Sequence, residues 1–79
     1  MWYVYFLHLA NGDVYVGSTN DLKRRLAVHQ AGRVVSTKAH LPCSLQSYVA
    51  VRTAAHSRAL ERYFNSGSGK AFGYRRLLA

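Results

Sequence analysis

Two apolar, aromatic stretches dominate the first seventeen residues, one carrying Tyr3-Val4-Tyr5 and the other Tyr15-Val16-Gly17, with Asn11-Gly12 between them. Asn-Gly between apolar runs is the strongest short-range hairpin signal, because a type I′ turn needs positive φ at both central residues. A two-residue turn there pairs Ala10 with Asp13 and His8 with Tyr15. Tyr15 then shares a face with Phe6 and His8, across the sheet from Tyr3 and Tyr5. A three-residue loop, Asn11 to Asp13 with a bulge, shifts the pairing by one and gathers all three tyrosines on one face. The turn residues leave both registers open. Gly17 lets the backbone bend or be closely approached where the second strand ends.

Past the hairpin, Ser18-Thr19-Asn20 reads as a loop with Asn20 as N-cap, and residues 21–31 as a helix stopped by Gly32. Leu22, Leu26 and His29 fall on one stripe at i, i+4 and i+7. Arg25 lies close to that stripe, one turn before His29, whereas Arg24 projects from the opposite side. Residues 32–43 form a connector rich in Ser, Thr, Lys and Gly and punctuated by Pro42. Leu45 to Val51 alternates Leu45, Ser47 and Val49 against Gln46, Tyr48 and Ala50, as a third strand does. Thr53 can cap a second helix over residues 54–66, closed by Gly67, with His56, Leu60, Tyr63 and Phe64 inward and Glu61 at the edge of that stripe. Residues 70–78 predict a short last helix packing through Phe72, Leu77 and Leu78. The order is ββαβα with a C-terminal helical piece. It implies an α/β (α+β) fold, a small three-stranded antiparallel sheet flanked by helices, with residues 1–79 as one domain.

Eleven Lys and Arg against three acids give a formal charge of +8, the electrostatic footprint of a polyanion binder. Lys23 and Arg24 make a solvated, phosphate-attracting face. Arg33, Lys38 and His40 either line a nucleic-acid groove or belong to a mobile basic loop, and Lys70 extends the basic surface. Nothing approaches the roughly 20 apolar residues of a membrane span, and residues 2–10 lack the basic region and longer apolar run of a signal peptide. Cys43 is the single cysteine. With only His40 nearby it makes no zinc site, and an unpaired, small buried thiol suits a reducing cytoplasm.

Of the three acids, Asp13 belongs to the hairpin turn and Asp21 opens a helix. Glu61 lacks a comparable explanation. An i,i+4 ion pair is unavailable, since residues 57 and 65 are Ser and Asn, and Arg58 at i−3 is the less favourable orientation. A single carboxylate can hold one hard cation such as Mg²⁺ or Mn²⁺, completed by waters and phosphate oxygens. Two-metal hydrolysis needs several bridging acids that this chain does not have.

Taken in order, Tyr3-Val4-Tyr5, Tyr15-Val16-Gly17, Arg25 ten positions after Tyr15 within Asp21-Leu22-Lys23-Arg24-Arg25-Leu26, then His29 and Glu61, resemble the GIY-YIG nuclease family. The resemblance covers residues 2 to about 70 and is nearest to the short stand-alone members. It implies the same α/β architecture and, because both motif tyrosines share one site, the three-residue loop. It implies an endonuclease acting on duplex or branched DNA with one Mg²⁺ or Mn²⁺ ion, helped by a protein partner for targeting. Tyr15 would stand near the attacking water as general base or proton relay, supported by Tyr5. Arg25 would contact the scissile phosphate and Glu61 would hold the metal. A free phenol has a pKa of about 10, so Arg25 and the metal would have to lower it, or the proton would have to pass to His29. The chain departs from the family at Tyr3, in place of a glycine, and at Val4 and Val16, in place of isoleucine. Ser18 stands where some relatives carry lysine, and Gly73 where some carry asparagine, for which Asn65 is the nearest substitute. The competing readings are a non-catalytic nucleic-acid-binding module with the same fold and a small basic interaction protein associated with ribosomes.

Overall fold

The computed structural model describes residues 1–66. Strands β1 (Trp2–His8), β2 (Val14–Thr19) and β3 (Ser44–Val51) form one antiparallel sheet in the order β2-β1-β3. Helix α1 (Leu22–Gln30) follows β2, and helix α2 (Ala54–Asn65) follows β3. The fold is therefore the expected three-stranded antiparallel sheet with helices. The predicted helix over residues 70–78, its anchors Phe72, Leu77 and Leu78, the stop at Gly67 and basic Lys70 lie outside the described residues.

The hairpin closes on three residues, but not the three expected. Leu9 N–H bonds the Asp13 carbonyl at 2.9 Å and Gly12 N–H bonds the Leu9 carbonyl at 3.0 Å, so the loop is Ala10, Asn11 and Gly12. Only Gly12 takes positive φ, at 89°, which a turn followed by a single left-handed residue requires and a type I′ turn does not satisfy. Asn11 instead caps the loop, its Oδ1 accepting from Asp13 N–H at 3.1 Å. The resulting register pairs Leu7 with Tyr15 and Tyr5 with Gly17, which puts Tyr3, Tyr5 and Tyr15 on one face.

The two faces carry separate cores. Val4, Phe6 and Val16 pack with Phe64, Val14, Val49 and Leu60 beneath α2. Tyr5, Leu7, Leu9 and Cys43 pack with Tyr15, Leu22, Leu26, Leu41 and Leu45 beneath α1. Cys43 is a free, buried thiol. The strict alternation expected of β3 breaks between Phe6 and Leu7, where the register slips by one. The bulge lets Leu45 and Tyr48, of opposite parity, both sit on the α1 face.

Local chemistry also moved some boundaries. Ser18 and Thr19 belong to β2 rather than to a loop, and the N-cap of α1 is Asp21, not Asn20: its Oδ1 accepts from Arg24 N–H at 3.1 Å. Gly32, with φ of 76°, ends α1 as expected. Thr53 caps α2 through His56 N–H at 3.1 Å. The inward stripe of α2 is Ser57, Leu60, Glu61 and Phe64, spaced i, i+3, i+4 and i+7, while His56 and Tyr63 are exposed. The connector after α1 is pinned, because the His40 carbonyl accepts from Ala10 N–H at 2.9 Å. Among the described residues no helix is long and apolar enough to cross a membrane.

Candidate active site

Tyr5 occupies the middle of the central strand and is 1% exposed. Its ring lies over Gly17 on β2: a Cβ at that position would collide with the Tyr5 hydroxyl and meet the Tyr15 ring at 3.1 Å. The glycine of the second motif is therefore the gap that seats the tyrosine of the first. Tyr15, half-buried two pairs further along, tilts toward Tyr5 with ring centroids 6.3 Å apart.

Above this face α1 places Arg25 and His29 one turn apart, and both reach Tyr5. Arg25 Nε–H donates to the Tyr5 hydroxyl at 3.4 Å, and the same hydroxyl lies 2.9 Å from His29 Nε2. His29 is fully buried, its ring edge-on to both Tyr5 and Tyr15 at 5.6 and 5.0 Å. Its Nδ1 lies 2.9 Å from the hydroxyl of Thr37, itself fully buried. Arginine can only donate, so Tyr5 Oη accepts from Arg25 Nε–H. Of the two tautomers that the imidazole contacts allow, we assign the one in which Tyr5 O–H donates to His29 Nε2 and His29 Nδ1–H donates to Thr37 Oγ1.

The electrostatics fit that assignment. Burial, reinforced by the Arg25 charge, holds the His29 pKa below the ordinary imidazole value, so the ring is neutral. Burial also raises the Tyr5 phenol. The hydrogen bond from Arg25 opposes it, while the nearby Tyr15 and Glu61 add to it. Arg25 in turn is held more firmly protonated, first by its bond to Tyr5 and also through Tyr15. Tyr5 therefore carries its proton at neutral pH, beside a neutral acceptor.

Glu61 approaches from the other helix. Ser18, on β2 and on the α2 face of the sheet, donates its hydroxyl to Glu61 Oε1 at 2.7 Å, which fixes the carboxylate at the sheet edge. The position where some family members carry lysine thus holds a serine that orients the glutamate. Asn65, one turn after Glu61, is exposed, and its Nδ2 donates to the Glu61 backbone carbonyl at 3.0 Å. Among the described residues no three metal-ligating side chains gather. One half-buried carboxylate at a polar edge fits a single hard cation completed by water and substrate oxygens, and does not fit a protein-built cage.

Beside Arg25 opens a polar cleft of about 600 Å³, lined by Thr19, Asn20, Asp21, Arg24, Arg25 and Val28. Arg24, placed by its spacing on a solvated face, lines this cleft, while Lys23 lines a second one on the sheet side of α1. Arg33 and Lys38 stand exposed on the connector. Of the sequence candidates, Tyr5, Tyr15, Arg25 and His29 are brought together on the α1 face, while Glu61 is held against Ser18 from the α2 face, where its charge is still felt at the Tyr5 phenol. Sequence reasoning missed Thr37 and the Ser18–Glu61 bond, neither of which carries a spacing signal.

A family model, the GIY-YIG catalytic domain, matches residues 1–75. The chain belongs to the GIY-YIG family. That family is of nuclease type, acts on nucleic acid and generally depends on divalent metal. Among curated GIY-YIG relatives, a UPF0213 protein of Serratia liquefaciens is 56% identical over 32 residues, covering 40% of this chain and 31% of that protein. The UPF0213 protein spr1390 of Streptococcus pneumoniae is 37% identical over 62 residues, 73% of this chain and 63% of its own length. The chain thus spans less than two thirds of these relatives. The solution structure of the UPF0213 protein BH0048 from Bacillus halodurans is similar with a TM-score of 0.56 and 28% identity, covering 91% of this chain and 81% of that one.

Proposed function

We propose that this domain is a metal-dependent endonuclease that hydrolyses phosphodiester bonds of DNA. The observation that supports it most is the chain from Arg25 through Tyr5 and His29 to Thr37. A stacked aromatic core has no need of an arginine bonded to a phenol that also faces a neutral, buried imidazole.

In this reading a phosphodiester enters the polar cleft against Arg25, whose remaining guanidinium donors bind its oxygens. The resemblance gives the proton-relay role to Tyr15, but the phenol bonded to His29 is that of Tyr5. Here, therefore, the attacking water gives its proton to Tyr5 as the Tyr5 proton passes to His29 Nε2, and no free phenolate has to accumulate. Thr37 accepts from Nδ1 and keeps Nε2 aimed at Tyr5. Tyr15, half-buried and sharing Arg25 with Tyr5, holds the water and phosphate in line. A Mg²⁺ or Mn²⁺ ion bound by Glu61 would supply charge stabilisation on the leaving oxygen. Duplex or branched DNA is the proposed substrate, with a protein partner for targeting.

Single-turnover cleavage of plasmid and branched duplexes with Mg²⁺ or Mn²⁺ tests the reading. Tyr5→Phe should slow cleavage on the order of 10²–10⁴-fold, the scale of lost acid–base catalysis. Tyr15→Phe should cost roughly 10- to 100-fold, the scale of a hydrogen bond to a charged group. Glu61→Gln should abolish metal-dependent cleavage while leaving binding in place. A Tyr5→Phe protein cutting within a factor of a few of the parent would remove Tyr5 from the proton path. DNA binding with no cleavage under either metal would leave a non-catalytic binding module.

A further inference from the structure

Helix α1 separates two clefts on the same face of the sheet. One is the polar cleft beside Arg25. The other, of about 490 Å³, is lined by Tyr3, Leu22, Lys23, Leu26, Leu45 and Tyr48, and it shares Asn20 and Asp21 with the first. Their separation is one helix width, on the order of 10 Å, and Asn20 and Asp21 form a common rim.

The second cleft has the composition of a base-stacking site. Tyr48 stands on β3 directly opposite Tyr5 and is 52% exposed, unusual for an aromatic residue in a domain that buries Tyr5 at the neighbouring position. Tyr3 meets it edge-on, with centroids 5.7 Å apart and ring planes at 73°. One ring braces the other and leaves a flat aromatic surface open above leucines. Lys23 at the mouth and the net charge of +8 favour a polyanion over an apolar peptide. An aromatic platform beside a cation is the usual way proteins hold single-stranded nucleic acid without reading its sequence. A base still paired in a duplex cannot present its face to such a platform.

We propose that the Tyr3–Tyr48 cleft stacks an unpaired base of the substrate a few nucleotides from the scissile phosphate, with Lys23 on the adjoining phosphate. The assignment rests on the nuclease reading only for its position relative to the cut. It narrows the substrate to nucleic acid with a single-stranded segment, such as a flap, a gap or a free strand.

The test uses short oligonucleotides carrying 2-aminopurine, whose fluorescence is quenched on stacking, titrated in EDTA so that no cleavage is required. Single-stranded DNA, its RNA counterpart and a blunt duplex of the same sequence are compared. Quenching is expected with the single strands and not with the duplex, and the DNA and RNA arms show which strand the cleft prefers. Tyr48→Ser should weaken single-strand affinity roughly 5- to 150-fold, leave duplex affinity within twofold, and abolish the quenching. Tyr48→Phe should preserve all three, since it keeps the ring, and the retained duplex affinity of the Tyr48→Ser protein is its control for folding. Equal affinity of parent and Tyr48→Ser protein for the single strand would overturn the proposal. So would an equal loss on strand and duplex, or a loss of self-association with strand binding unchanged. If the Tyr48 result holds but no substrate is cut, the cleft stands and the nuclease reading fails. If duplex is cut equally by both proteins with no single-strand preference, the reverse follows.

Discussion

At the scale of single residues, Thr37 illustrates how much a buried hydroxyl can decide. It lies eight residues from His29 in a stretch without periodicity, so no spacing rule points to it, yet it fixes the imidazole that Tyr5 faces. Thr37→Val keeps the shape and removes the partner of Nδ1. The protein should lose about 1–3 kcal/mol of stability, the cost of stranding a buried donor, and cleavage should fall with it, while Thr37→Ser should restore both; urea unfolding and single-turnover rates check this. The depressed pKa of His29 makes a second prediction. The folded ring binds fewer protons than the unfolded one, so its contribution to stability is lost as pH falls below the ordinary imidazole value of 6.5. The unfolding midpoint should drop on acidification below about pH 6.5, and a His29→Gln protein should show a shallower slope over that range. By contrast, Tyr5, Tyr15, Arg25, His29 and Glu61 were picked out by their resemblance to the family's motif order, and the structure places the first four within reach of one another.

Elements were legible where one local signal dominated and misplaced where two competed. Asn20 and Asp21 are both good caps, and the choice fell to Asp21 because β2 runs on through Thr19 and delays the helix. The i, i+3, i+4, i+7 stripe of α2 begins at Ser57, a small polar residue easily read as neutral, so the inward face was drawn one position early. The β3 bulge is invisible to a period-two pattern, since Gln46 looks like any other outward residue. The hairpin shows the converse: the loop residues were misassigned by one, yet the tyrosines still share a face, because a slip of two registers preserves parity. In that register Tyr5 packs directly over Gly17. Gly17→Ala should force the phenol off its seat, costing about 1–3 kcal/mol, the range for overpacking a filled core, and should cut activity more than stability alone explains. Thermal melts beside cleavage assays on the folded fraction would measure both.

For the whole molecule, sequence gave the class of fold and the sign of the charge, but not the order β2-β1-β3 or the placement of α1 and α2 on opposite faces, which only long-range pairing determines. With a net charge of +8, DNA affinity should weaken steeply and linearly in log–log form as salt rises. A flat salt response in fluorescence anisotropy would argue against a surface that tracks phosphates. The sheet order has a further consequence. Among the described residues, Tyr5 sits on the one strand with both edges hydrogen-bonded, so fraying at either side of the sheet leaves its backbone in place. Amide protons around it should be among the last to exchange with solvent, by way of global opening alone. On heating, the site should therefore come apart from its outer members, Tyr15 on edge strand β2 and Glu61 on α2, while the phenol at its centre keeps its place until the domain melts.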